Sequence, residues 1–331
     1  MRNLCFPVFA LLILVFQACN DGDGIDVEIP NFNFPQTVEF ADSLSHYDLF
    51  QGKTADLNPR SNVHFLELTS VLFTDYAYKQ RLVKLPEGSQ MDRLLEDEID
   101  FPDGSILAKT FYYYNDERDT SFGKRIIETR LLIKANNIWN AATYIWNESQ
   151  TDAHLNQDGS ETEVSWTDKN GVLRTINYDV PNLNECIACH QSQGSMIPLG
   201  VKLRNLNRIV LRNGNTVNQL EFLQEEGLLV TFPASQIPSI VDYKNTDLSI
   251  DTRSRAYLEM NCAHCHNPNA WEAPAEQGLD FRYETPFGGT GILDESDEML
   301  ELIQEGEMPF IGTTILDDEG VGLLVAYLEG L

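Results

Sequence analysis

Cys186-Ile187-Ala188-Cys189-His190 and Cys262-Ala263-His264-Cys265-His266 repeat one pattern, C-x-x-C-H. One helical turn sets two thiols against the two vinyl groups at one porphyrin edge, and the imidazole of the next residue reaches the iron. This is the attachment chemistry of haem c, and two motifs imply two covalently bound haems. Cys186, Cys189, Cys262 and Cys265 would form the thioethers, and His190 and His266 would be the proximal iron ligands. The chain has six cysteines. With Cys5 and Cys19 near the N-terminus set aside, every remaining cysteine belongs to a motif. Zinc is the competing chemistry, since two C-x-x-C pairs can hold a structural ion. Here 72 residues separate the pairs, and each is followed at once by a histidine that a zinc ribbon does not require. Thiol–disulfide exchange would call for a βαβ context, and the sequence has none.

The elements that carry these motifs change character along the chain. Residues 38–180 read as a β-rich, sandwich-like domain. Short apolar or alternating runs recur there between turn residues: 63–68, 82–85, 105–114, 125–135, 143–146, 161–166 and 172–178. Asn170-Gly171 between the last two runs predicts a hairpin. His64 and His154 in this segment are lone histidines and read as structural or exposed. After Pro181 the spacing of apolar residues turns helical: Val217–Gly227, Asp251–Asn261 and Asp317–Leu331 read as helices. Pro181 predicts an extended approach to the first motif rather than a helix.

Composition bounds the partners. The chain has 331 residues, 51 acidic against 23 basic, and a net charge of −28. That balance excludes a nucleic acid partner, because phosphate contacts need Lys and Arg in excess. Met1–Ala18 carries a positive Arg2 and an apolar run from Phe6 to Phe16, too short to span a bilayer and typical of a secretory signal. Val15-Phe16-Gln17-Ala18-Cys19 resembles a bacterial lipobox, in which Cys19 is lipidated and becomes the mature N-terminus. Its Phe at the third position before the cleavage point departs from the usual Leu; plain secretion is the alternative. Removing 1–18 takes away one Arg and no acid, so the mature chain is one unit more negative. Residues 19–37, rich in Gly, Asp, Asn and Pro, read as a flexible tether. The acidic start of that tether resembles the surface-export signal of Bacteroidota lipoproteins. The expected location is the bacterial cell envelope, lipid-anchored at the outer membrane.

Residues 251–331 resemble a class I cytochrome c domain. Arg255-Ala256-Tyr257-Leu258-Glu259-Met260-Asn261 leads into Cys262, with small Ser254 and apolar Leu258 suited to a close helix crossing. Met308-Pro309 follows His266 by 42 residues and precedes an apolar closing helix at Val321–Leu328. The resemblance implies Met308 as the distal iron ligand, while Met299 reads as core. The mature chain also resembles a family of exported diheme c-type cytochromes. The shared stretches are Phe73–Ala77, Leu85–Gly88, Trp146–Ala153, Leu203–Asn207, Asn218–Leu220, Arg255–Tyr257 and Asn261–Pro268. Together these give an expected mixed fold: the β-rich domain at 38–180, a first haem-binding segment at 181–250, and a mostly α, cytochrome c-like region at 251–331.

The distal side of the first haem stays open. Met196, Met260, Met91, His64 and His154 are the candidates, and a five-coordinate iron is the alternative. Lys202, Arg204 and Arg208 read as solvated surface charge, with haem propionates as alternative partners. His264 reads as exposed. The expected function is one-electron transfer between redox donor and acceptor proteins that the sequence does not identify, rather than catalysis. A diheme peroxidase-like enzyme with one open haem is the first alternative. A zinc-stabilised surface-binding lipoprotein is the second.

Overall fold

The computed structural model describes residues 28–94 and 97–331; the signal, the lipobox at Cys19 and most of the tether lie outside them. No helix among the described residues is long and apolar enough to cross a membrane.

The framework is an antiparallel sheet of six strands in the order β1-β2-β5-β6-β7-β8. β1 is Val63–Phe65 and β2 is Tyr78–Lys84. β3 (Asp92–Arg93) and β4 (Ile99–Asp100) make a small separate hairpin. β5 (Ile106–Tyr114), β6 (Lys124–Ala135), β7 (Ile138–Trp146) and β8 (Ala153–Asn156) complete the sheet. Alternation of side chains gives it two faces. One face, with Leu82, Ala108, Leu131, Ala142 and Tyr144, packs beneath the segment carrying Leu44, Leu49 and Leu57. The other faces the residues that follow the sheet.

β9 (Ser160–Thr167) and β10 (Leu173–Val180) form the expected hairpin. Asp168 closes its turn, exchanging backbone hydrogen bonds with Val172 and Gly171, and Gly171 takes a φ of 81° that few other residues accept. Its inner side buries Val164, Trp166, Ile176 and Tyr178 against Phe111 and Tyr113.

The rest of the chain departs from expectation. α1 (Leu183–His190) is followed by a hairpin of β11 (Gln191–Ser192) and β12 (Ser195–Met196). A one-turn α2 (Leu203–Leu206), a hairpin of β13 (Ile209–Arg212) and β14 (Asn215–Asn218), and α3 (Gln219–Glu225) come next. α4 (Ile250–Asn261), α5 (Glu272–Glu276), α6 (Ile292–Glu305) and α7 (Asp318–Leu328) follow, joined by long irregular stretches.

The expected mixed fold, with a sandwich-like domain followed by a mostly α, cytochrome c-like haem region, is therefore corrected. The described chain is β-rich, with fourteen strands in antiparallel sheets and only about 25% helix. Packing is continuous across residue 181. Val83, Leu107 and Trp139 of the large sheet share one core with Ile187, Met196, Leu203, Leu220 and Met260. Each such side chain contributes about 1.5–3 kcal/mol when buried, so neither half can keep that core without the other. Periodicity reports which local element a stretch prefers; it does not report that two stretches bury each other.

Polar ties reinforce the shared core. The buried Asn205 accepts from the backbone N–H groups of Thr69 and Ser70 at 2.9 and 3.0 Å, and donates to the Ser70 carbonyl at 3.0 Å and the Met260 sulfur at 3.2 Å. Asn261, just before the second motif, accepts from the Phe73 N–H at 2.7 Å. Asp75 accepts from the N–H groups of Thr314 and Ile315 at 2.8 and 3.1 Å and from the Thr313 hydroxyl. The loop that contains Met308 is thereby fastened to the N-terminal half.

Candidate functional site

The first motif lies on α1, whose start the sequence does announce. Asn182 caps the helix by accepting from the Glu185 N–H, and Glu185 reaches back to the Asn182 N–H at 2.8 Å. Val180, the last residue of β10, keeps the extended conformation that Pro181 imposes on the residue before it, and the reciprocal capping box starts the helix just beyond. Asn182 and Glu185, three apart, were the signal that sequence reasoning passed over. α1 then places Cys186, Cys189 and His190 on successive turns beside β7.

The second motif sits in the turn that leaves α4. Ser249 caps that helix by accepting from the Thr252 N–H at 3.2 Å, two residues before the expected Asp251. The backbone N–H of Cys262 still bonds the Leu258 carbonyl at 2.9 Å, and that of His266 bonds the Cys262 carbonyl at 2.9 Å. α7 crosses α4 where Gly320 meets the Tyr257 ring. The turn is thus held rigidly at the mouth of the cavity.

Both motifs open onto one cavity of about 560 Å³. Its wall includes Cys186, Cys189 and His190 of the first motif, Cys262, His264 and His266 of the second, and Met308. Cys265 turns toward the first motif instead: the ligand atoms of Cys189, His264 and Cys265 all lie within 4.8 Å of one another. His264 is therefore half-buried between the motifs and not exposed as expected.

The donors are in the protonation states that haem attachment and ligation use. Burial pushes the Cys186 thiol up to about 11 and the Cys262 thiol up to about 12. The Cys265 sulfur and burial together hold Cys189 well above its ordinary value. Burial lowers His190 to about 3 and His266 to about 4, so both imidazoles are neutral at neutral pH. His190 Nδ1 lies 2.8 Å from the Ile197 carbonyl, which fixes the tautomer that donates from Nδ1 and leaves Nε2 with its lone pair. His266 Nδ1 is buried without a partner, and its ring lies 5.2 Å from that of Phe281. Thiols paired with a neutral, oriented imidazole in an apolar chamber are the donor set that a covalently held haem needs.

The candidate distal ligands separate clearly. Met308 lines the cavity. Met260 also lines it, but its sulfur accepts from the Asn205 amide. Met196 and Met91 are packed in the core away from the cavity. His64 borders a separate small cleft with Leu85 and Glu226, and His154 pairs with Ser43 on β8. Met299 is buried in the core of the α4–α7 region and touches the cavity wall.

The expected basic cluster does not face solvent or the cavity as free charge. Lys202 pairs with Glu259 at 2.9 Å; Arg204 pairs with Asp97 at 2.9 Å and Glu284 at 3.0 Å; Arg208 donates to the Leu68 carbonyl. Besides the paired Lys202 and Arg282, the cavity wall carries Arg81, Lys109 and Arg130, from three neighbouring strands of the sheet. Sequence reasoning missed them because their closeness depends on strand register.

No protein family, curated protein or solved structure that was compared matches the chain.

Proposed function

We propose that the protein is a diheme c-type cytochrome that passes electrons one at a time in a bacterial cell envelope, held to the outer membrane through lipidated Cys19. One observation carries the reading: two C-x-x-C-H motifs, far apart in sequence, meet at the same cavity, each with a buried neutral histidine on its wall. Haem bound there supplies reversible exchange between ferric and ferrous iron. The residues of this chain hold and tune it. Cys186, Cys189, Cys262 and Cys265 would anchor the porphyrins, His190 and His266 would each ligate an iron, and Met308 would ligate the second. The carrier reading is preferred to the peroxidase because no His, Glu or Arg constellation beside either motif in the sequence reads as acid–base machinery for cleaving an O–O bond.

A second reading has one specific observation in its favour. Cys189, His264 and Cys265 could hold a zinc ion, although a structural site uses four ligands and this group offers three. Protein made with the haem c maturation machinery separates the two. The diheme reading expects two haems per chain by pyridine haemochrome, retained after denaturation. Stoichiometric zinc with no haem would sink it.

A further inference from the structure

The inner face of the six-stranded sheet is laid out in rows by strand register. Val83, Leu107, Leu132 and Ala141 are cross-strand partners and form an apolar row. The next row along is Arg81, Lys109, Arg130 and Thr143, and all four line the cavity. Three cations therefore stand side by side on adjacent strands, where like charges repel. The fully buried Phe111 ring lies beneath them, 4.8 Å from Lys109 Nζ and 4.5 Å from the Arg130 guanidinium carbon.

Their partners are unequal. Arg130 is neutralised by the buried Glu128, with contacts of 2.8 and 2.5 Å, and Glu128 also accepts from the Tyr178 hydroxyl at 2.7 Å. Arg81 and Lys109 have no ion pair among the described residues. Several other inward cations do: Lys134 with Asp100, Lys202 with Glu259, Arg204 with Asp97 and Glu284. Among the described residues of a chain with 51 acids, neither of these two inward cations is given one. Holding an uncompensated charge away from water costs several kcal/mol, so the arrangement persists where an anion completes it.

We infer that Arg81 and Lys109, backed by the neutralised Arg130, are an anion cradle that binds haem propionate carboxylates in the cavity. This rests on the diheme reading and assigns the sheet its part in it: the β half supplies the counter-charges, and the later half supplies the covalent and iron ligands. Burial and the neighbouring Arg81 push Lys109 well below its ordinary value when no anion is present, and a carboxylate reverses that push.

The test uses the full haem-loaded chain and spectroelectrochemical titration of Arg81→Gln, Lys109→Gln and the double variant. Loss of a cation beside a propionate favours the ferric state, so the potential of at least one haem should fall in each single variant and further in the double. Arg81→Lys, which keeps the charge, should retain most of the wild-type potential. Lys53→Gln on the exposed surface should leave it unchanged. If a glutamine variant fails to fold, Lys109→Met keeps the stem over Phe111 and reads the same shift. Two haems per chain with unchanged potentials in these variants would overturn the inference. A potential that moves on adding inorganic sulfate to the wild type, and not to the double variant, would also overturn it by assigning the cradle to a free anion. No haem at all would remove the diheme reading beneath it, a result that the haemochrome assay reports separately.

Discussion

Cys189, in α1, and Cys265, in the turn after α4, bring their sulfur atoms within 4.8 Å of each other. Each is the second cysteine of its motif, so porphyrins attached at these positions would have neighbouring edges. The charge on one iron should then be felt at the other. Cys186→Ala combined with Cys189→Ala should lower the haem count from two to one and also lower the potential of the remaining haem, because a ferric neighbour that opposed its oxidation is gone. Redox titration of the two proteins checks this. A surviving haem with its wild-type potential would show that the two centres are electrically separate.

How much of this arrangement the sequence discloses depends on the range of the interaction. The motifs are contiguous, so Cys186 to His190 and Cys262 to His266 read directly. The strands from Ile106 to Trp146 read from local alternation, and the hairpin at Asn170-Gly171 from its turn chemistry. The helix at Leu183 was hidden because its mark, the Asn182–Glu185 box, stands directly after the extended approach that Pro181 sets at Val180. The closeness of Arg81, Lys109 and Arg130 was illegible, because only pairing in register makes neighbours of residues so far apart in sequence. The separate cytochrome c-like region failed for the same reason: Met260 looks like part of a self-sufficient helix until Asn205 and Leu203 are placed against it.

Met308 provides a spectroscopic prediction. With Met308 on the second iron, oxidised protein should show a weak sulfur-to-iron band at the red end of the visible spectrum. Met308→Ala should abolish that band and lower the potential of one haem, since a thioether favours ferrous iron. The same variant should bind carbon monoxide at a haem that was closed before. A band unaffected by the substitution would remove Met308 from the iron.

Asp75 ties residues 313–315, and with them the Met308 loop, to the N-terminal half. Asp75→Ala leaves the N–H groups of Thr314 and Ile315 without their acceptor. The loss should be about 3 kcal/mol, as expected for several hydrogen bonds to one carboxylate. Chemical denaturation measures it, and weakened Met308 ligation should accompany it.

The crossing of α4 and α7 gives a paired prediction within one helix. A Cβ on Gly320 would lie 2.2 Å from the Tyr257 ring, whereas one on Gly322 would meet nothing within 4 Å. Gly320→Ala should destabilise by about 3 kcal/mol through overpacking. Gly322→Ala should stabilise by about 0.5–1 kcal/mol, because alanine restricts the unfolded chain and favours the helix. Equal effects at the two sites would contradict the observed crossing.

The two buried histidines set an acid limit. Burial holds His190 at about 3 and His266 at about 4 in the folded chain, below the ordinary 6.5. On acidification the unfolded chain takes up protons near pH 6.5 that the folded chain refuses until about 4 and about 3. The resulting stability is complete above pH 6.5 and is lost as pH falls through that window. Melting temperature should therefore decline from pH 6.5 downward, and a flat profile between 6.5 and 4 would contradict the assignment.

Synthesis delivers the chain from its N-terminus, and the six-stranded sheet is complete by Asn156. At that moment Arg81 and Lys109 are still hydrated and Val83, Leu107 and Trp139 are bare. The residues that cover them, from Ile187 to Met260, are not yet made. The second half therefore serves as the roof of the first. A chain halted near residue 180 would present a sticky, positively charged plate, a surface that invites aggregation. The order of manufacture thus runs from frame to roof, with the cysteines arriving on the roof itself, so the chamber closes only as its haem-binding residues come into place.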